Sequence, residues 1–232
     1  MIDVIYFDKD ICVCHKPRGI LSEGQGQRDM PLSLAAELEK KGLSATVFTV
    51  HRLDRETEGL MVYALNSPAA AELSRQLREG ELKKEYIAEL CGIPQKTEAE
   101  LCDLLFYDRQ RGKSFVVDKK RNGVRDARLF YRVTETENGY SRVRVKLYTG
   151  RTHQIRVQFA SRGLPLRGDR RYGAPKDSGD FSLRSCYLSF KHPSTGEFLE
   201  FGDRSEHPTP HQSPYGDSFP SRGSLKENAN LI

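Results

Sequence analysis

The sequence predicts an α+β domain: a mixed, largely antiparallel β-sheet with a few helices packed on it. Three observations predict it. Alternating runs flank tight turns such as Glu137-Asn138-Gly139 and His192-Pro193-Ser194-Thr195-Gly196, as in antiparallel hairpins. Only three stretches carry helical spacing between start and stop residues. Strands do not alternate regularly with helices, as a doubly wound sheet would require.

Along the chain, Val4–His15 reads as two strands around Asp8-Lys9-Asp10, closed by Lys16-Pro17. Pro31–Lys41 reads as a helix with Leu34 and Leu38 on one face and Gly42 as its stop. Ala45–Val50 and Leu60–Leu65 read as strands. Ser67 caps the next helix, with Pro68 at its first position, Ala70, Leu73 and Leu77 facing inward, and Gly80 at its end. Tyr86, Ala88 and Leu90 alternate as in a half-buried strand. Ala127–Val133 and Tyr140–Tyr148 form a hairpin. In its second strand Val143, Val145 and Leu147 share one face, while Arg142, Arg144 and Lys146 make a basic ridge on the other. Thr152–Arg162 reads as a helix capped by Thr152 and ended by Gly163. Leu183–Phe190 and Phe198–Phe201 form the last hairpin. From about His207 the chain turns rich in Pro, Ser, Gly and Asn. The expected organisation is one domain over residues 1–206 and a flexible tail over 207–232.

The chain has 232 residues and 37% hydrophobic content, enough for a real core. No apolar run is long enough to span a membrane and no signal peptide is evident, which points to the cytoplasm. Cys12, Cys14, Cys91, Cys102 and Cys186 lack zinc-type spacing and read as reduced packing residues. The net charge of +5 is uneven. Residues Asp108 to Tyr172 hold 18 Lys and Arg against 6 Asp and Glu. Such a block suits a polyanion partner, although a solvated, Arg-rich sheet face gives the same count. Neither a GxGxxG after a strand nor a Walker A run is present, so nucleotide cofactors lose support.

The segment between Val50 and Leu60 carries the chemistry. Its nine residues, HRLDRETEG, hold two Arg, one Asp, two Glu and one His. Asp54 lies between Arg52 and Arg55. Guanidinium groups keep a neighbouring carboxylate ionised even where water is excluded. Such an Asp can act as a nucleophile without a base to activate it. Taken alone, it reads first as a salt bridge that staples a loop, because most Asp–Arg pairs are structural. Three further stretches favour a site. GRTHQIRVQFA gathers Arg151, Thr152, His153, Gln154 and Arg156 at a helix start, where anions are favoured. KKEYIAEL places Tyr86 on a strand with Lys84 on the same face, a ring on which a base can stack. LPLRGDRRYG is a Gly-bounded turn dense in Arg.

HRLDRETEGL, KKEYIAEL and GRTHQIRVQFASRGLPLRGDRRYG, in this order, resemble the RluA-type pseudouridine synthases. ICVCHKPRGIL resembles that family's strand-then-KPxG opening, and FKHPSTGEFLEF its final hairpin. The resemblance spans about residues 3 to 201. It implies the pseudouridine synthase fold and the isomerisation of uridine to pseudouridine in structured RNA (rRNA, tRNA or both), without cofactor or metal. It further implies that Asp54 is the catalytic aspartate, that Tyr86 lies against the target base, and that Arg156 holds the Asp54 carboxylate. Arg52 would lie beside the RNA. Gly150, Thr152, His153 and Gln154 would wall the pocket. Arg55, Lys84, Arg142, Arg144, Lys146 and Arg151 would bind phosphates, with an affinity that falls as salt rises.

The sequence departs from the pattern at Glu58, where the family usually has Ser, which adds negative charge on the RNA side. Many members carry an S4-type RNA-binding domain. This chain begins at the catalytic domain, so recognition is expected to rest on the core, and a monomer is expected. Two other classes fit less well. A non-catalytic RNA-binding module does not need Asp54, Tyr86 and Arg156 together. A metal hydrolase using His51, Asp54 and His153 would have poor ligand spacing and flanking Arg residues that repel a cation.

Overall fold

The computed structural model of the chain describes residues 2–24 and 29–202. Its strands are β1 (Asp3–Phe7), β2 (Ile11–Lys16), β3 (Phe48–Thr49), β4 (Glu58–Ala64), β5 (Lys83–Cys91), β6 (Glu98–Asp108), β7 (Lys113–Val117), β8 (Val124–Glu137), β9 (Tyr140–Leu147), β10 (Leu183–Lys191) and β11 (Phe198–Gly202). Its helices are α1 (Met30–Lys40), α2 (Ser67–Glu79) and α3 (Gln154–Ala160). The strands make one mixed sheet in the order β1-β2-β4-β10-β5-β9-β8-β6-β7, with β11 on β10 and β3 on β4. Every pairing is antiparallel except β4 with β10. The α+β reading holds.

That parallel contact joins the two halves of the sheet and explains Gly59. Its φ is +115°, and a Cβ there would lie 2.2 Å from the Ser185 carbonyl oxygen. Only a residue without a side chain lets the two strands meet.

The core lies on both faces of the β2–β4–β10 region. Cys12, Cys14, Met61 and Tyr63 face α1 and its Met30, Leu34 and Leu38. Ile11, Val13, Leu60 and Val62 face α2 and its Ala69 and Leu73. Burying each large apolar side chain stabilises the fold by about 1.5–3 kcal/mol. The CxC is therefore packing, as its alternation suggested. The first core cluster continues through Tyr86, Ala88, Leu90, Val143 and Val145 to Ile155 and Phe159 of α3. This continuity seats α3 against the strands that carry Tyr86.

Three elements differ from the sequence reading. Ala45–Val50 contributes only β3, because β10 takes the same edge of β4 at Glu58 and Gly59 and leaves just Tyr63 and Ala64 for Phe48 and Thr49. Asn66, not Ser67, caps α2. Its backbone is extended, its Oδ1 accepts from Ala69 N at 2.9 Å, and its Nδ2 donates to Asp10 Oδ1 at 2.8 Å. The third helix starts at Gln154, not Thr152, because His153 has a left-handed backbone (φ 56°) and Thr152 lies in the preceding turn. The domain boundary at 206 and the tail from 207 lie outside the described residues.

Candidate active site

The loop that carries Asp54 is fixed by hydrogen bonds to Lys16, Gly19 and Ser22 of the preceding stretch and by one within itself. Leu53 N donates to Ser22 Oγ at 3.0 Å, and Ser22 Oγ donates to Leu53 O at 2.8 Å. Lys16 is fully buried. Its Nζ donates to the carbonyls of Pro17 (2.9 Å), Ile20 (2.8 Å) and Arg55 (3.1 Å), and burial pulls its pKa down to about 8. Gly19 N donates to Arg55 O, and Arg55 Nε returns a bond to Gly19 O. The KPRG turn and the RLDR loop thus form one laced unit. Thr57 N closes the loop on Asp54 O at 3.0 Å. His51 is buried, accepts Val62 N on Nε2 at 3.2 Å, and is held well below the usual imidazole pKa by desolvation. It is a neutral brace for the loop.

Across from this loop α3 presents Arg156, which is buried. Its Nη1 lies 3.2 Å from Asp54 Oδ2. Its Nε and Nη2 grip Asp169 at 2.7 and 2.8 Å, a two-pronged pair with a carboxylate that is only 1% exposed. The guanidinium also lies over the rings of Tyr172 and Phe181, at 5.0 and 5.1 Å. Burial disfavours its charge, but the bonds and charge of Asp169 and then of Asp54 outweigh that and raise its pKa. The cation is therefore permanent, and one edge of it is aimed at Asp54.

His153 Nε2 lies 3.9 Å from the same Asp54 oxygen, and its Nδ1 shares a 2.9 Å hydrogen bond with Tyr172 Oη. Burial lowers its pKa more than Asp54 raises it, so the ring is neutral at neutral pH. Tyr86, on β5, is buried, and its hydroxyl is pushed up by desolvation and by the Asp54 charge, which places the two groups within electrostatic reach. A carboxylate 23% exposed, backed by a fixed cation and flanked by a neutral imidazole and a buried phenol, can attack or deprotonate a group brought to its open side.

The other residues singled out in the sequence fall into three groups. Around the Asp54 loop, Arg52 is exposed and paired with Glu23, and Arg55 holds Gly19. On the facing wall, Arg151 Nε donates to Asp126 O, and the Thr152 carbonyl accepts from Ser114 Oγ. Gln154 is buried and accepts from Thr149 Oγ1 and Arg151 N, so it orders the wall from inside. Lys84 is buried with its Nζ 3.9 Å from where a Cβ on Gly150 would stand, and desolvation pulls its pKa to about 8. The basic ridge is the third group. It is not a free stripe of cations: buried Arg144 pairs with Glu85, and Arg142 pairs with Glu89 and Glu135. Of the three, Lys146 alone has no carboxylate partner among the described residues, and its Nζ lies over the Tyr148 ring. Glu58 is partnered as well, 3.5 Å from Arg18 of the KPRG turn.

Sequence reasoning missed Asp169, Tyr172, Phe181 and Lys16. Asp169 is the lone acid in LPLRGDRRYG, a run that its Arg residues made look purely cationic. One Asp among three Arg neighbours was the available signal. A second His-carboxylate group, Asp8, Asp10 and His192, lies on the turns of the β1–β2 and β10–β11 hairpins. His192 Nδ1 accepts from Ser194 N and Thr195 N, which puts its proton on Nε2, and Nε2 donates to Asp8 at 2.8 Å. That nitrogen is committed to a turn-locking hydrogen bond.

Comparison with known proteins places the chain in a family. Residues 10–161 match the family model for RNA pseudouridylate synthase. The chain is 34% identical over 214 residues to the dual-specificity RNA pseudouridine synthase RluA of Haemophilus influenzae, covering 88% of this chain and 94% of that protein. It is 36% identical to the ribosomal large subunit pseudouridine synthase D of Vibrio cholerae, covering 86% of this chain and 66% of the relative. The solved structure of human RNA pseudouridylate synthase domain containing 1 has the same fold, with a TM-score of 0.69 at 24% identity over 88% of this chain and 83% of that one. The chain belongs to the RNA pseudouridylate synthase family of isomerases.

Proposed function

We propose that this chain isomerises specific uridines of structured ribosomal or transfer RNA to pseudouridine, with Asp54 as the essential carboxylate. The observation that carries the reading is the Asp54–Arg156 contact, fixed from behind by Asp169. The reaction breaks the N1–C1′ bond and joins C5 to C1′; C5 releases its hydrogen to water and N1 gains one. A stacked base cannot meet a carboxylate in a cleft, so it must be flipped out, at a cost of a few kcal/mol. Tyr86, whose hydroxyl feels the Asp54 charge, offsets part of that cost by contact with the base. Arg156 holds the carboxylate in place while it attacks the nucleotide or removes its proton.

Arg52, Arg55, Lys84, Lys146, Arg151 and Thr152 are assigned to the RNA, whereas Arg142 and Arg144 serve the sheet. The name of one relative, a ribosomal large subunit pseudouridine synthase, supports ribosomal RNA as a substrate, and that of another, a dual-specificity RNA pseudouridine synthase, supports more than one target. A monomer is the proposed state. None of the described helices is long and apolar enough to cross a membrane, which is compatible with a cytoplasmic site. The test is tritium release from transcripts of 23S rRNA and tRNA carrying 5-[³H]uridine. Release to water, undiminished by a chelator, is expected. RNA binding with no release would leave only a binding module.

A further inference from the structure

Resting on that reading, we propose that Tyr107 is a stacking platform for the nucleotide next to the flipped uridine, on a hairpin tip whose cations hold the adjoining phosphates. A single exposed tyrosine ordinarily calls for no explanation. This one is 40% exposed, and its ring stands edge-on to His153, with centroids 6.2 Å apart and planes at 87°. His153 in turn lies 3.9 Å from the Asp54 carboxylate. One imidazole therefore separates Tyr107 from the reacting group. The target base must touch Asp54 and cannot also cover Tyr107, but its neighbour along an unstacked strand can.

The platform is braced. Tyr107 of β6 faces Ser114 of β7 across the hairpin. Ser114 N donates to Tyr172 Oη at 2.8 Å, and Ser114 Oγ donates to Thr152 O at 2.5 Å. Tyr172 Oη is the group that also holds His153. The outward polar edge of β7 is thus tied to the pocket wall, and Tyr107 keeps its place relative to Asp54. The turn beyond it is closed by Asp108 Oδ1, which accepts from Gln110 N and Arg111 N. That turn displays Arg109 and Arg111, both exposed, with Arg111 Nε 3.6 Å from Asp108, and β7 begins at Lys113, whose Nζ donates to Arg171 O at 2.7 Å and lies 4.7 Å from the Tyr172 ring centroid. An aromatic face bordered by cations is what an unpaired strand needs, since every base has a π-face and every linkage a charge.

The chain contains no Trp, so Tyr107→Trp introduces a single indole at the proposed contact. In an Asp54→Asn background, titration with a uridine heptanucleotide and with the tRNA transcript is expected to quench its fluorescence, and the quenching needs no catalysis. In the active protein, Tyr107→Leu should raise the half-saturating concentration in single-turnover tritium release by about ten-fold, while Tyr107→Phe stays within about two-fold of wild type. Absence of quenching at concentrations where RNA is bound overturns the platform, as does an unchanged half-saturation for Tyr107→Leu. Equal damage from Phe and Leu also overturns it, because the hydroxyl rather than the ring would then matter. A wild type that releases no tritium contradicts the proposed reaction, and the fluorescence arm still decides the platform.

Discussion

Replacing Asp169 with Asn probes how much of the site depends on a residue that never meets substrate. The change is nearly isosteric. It removes the charge that grips Arg156 at two points and places an amide NH₂ against one of its N–H groups. Both side chains are essentially buried, 6% and 1% exposed, so water cannot replace the lost partner. Breaking one side of such a pair costs about 3–5 kcal/mol, and the retained amide oxygen puts the expectation near the lower end, about 3 kcal/mol. For a domain of this size that lowers Tm by about 6–12 °C. The rings of Tyr172 and Phe181 still confine the guanidinium, so the chain should fold. Arg156 is then free to swing fully onto Asp54 and pull the carboxylate from its working position. Single-turnover tritium release at saturating RNA should fall at least about ten-fold, with RNA affinity within about two-fold of wild type, because a misplaced catalytic group costs rate rather than binding. Thermal unfolding by circular dichroism and quenched-flow turnover read the two effects separately. A variant with wild-type rate and a Tm within 1 °C would refute the view that Asp169 positions the site.

The remaining predictions concern charges whose roles burial has changed. Arg144→Ala leaves Glu85 buried without its cation, so stability in urea should drop by about 3 kcal/mol while the salt dependence of RNA binding keeps its slope; a flattened slope in a stably folded variant would restore Arg144 to the RNA interface. Lys84 has a folded pKa of about 8, below its unfolded value, so this group binds more protons unfolded than folded between about pH 8 and 10.5, and its own contribution to stability rises with pH through that window. Lys16 contributes with the same sign, and the buried thiols of Cys12, Cys14 and Cys186, raised by desolvation, oppose both above about pH 9. The stability difference between wild type and Lys84→Met should therefore change with pH across this window in favour of wild type; a difference that is constant with pH would mean that the Lys84 ammonium is not desolvated.

What could be read from the sequence was local. The alternation of β5 and β9, the Asn138-Gly139 turn and the Leu spacing of α1 are pairwise patterns between near neighbours, and they placed the sheet and the inward side of each strand. The neighbours of Asp54 in sequence pointed to the proposed reaction centre for the same reason. Partnerships across the sheet were hidden. Glu85 and Glu89 reach Arg144 and Arg142 only because β5 and β9 pair in one register, so the basic ridge looked free until its partners were in place. Asp169 became recognisable only when α3 and the following turn were folded together. Tyr107 carries no sequence signal at all, since its role rests on a hairpin bending back toward His153. The shortened β3 also depends on a distant event, the arrival of β10 on the same strand edge.

The most direct test is the chemistry of Asp54 itself. Asp54→Asn should bind 5-[³H]uridine-labelled tRNA or 23S rRNA transcripts about as tightly as the wild type and release no tritium in a single turnover, where the wild type releases it stoichiometrically. Full release by Asp54→Asn would contradict the assignment of this carboxylate as the group that reacts.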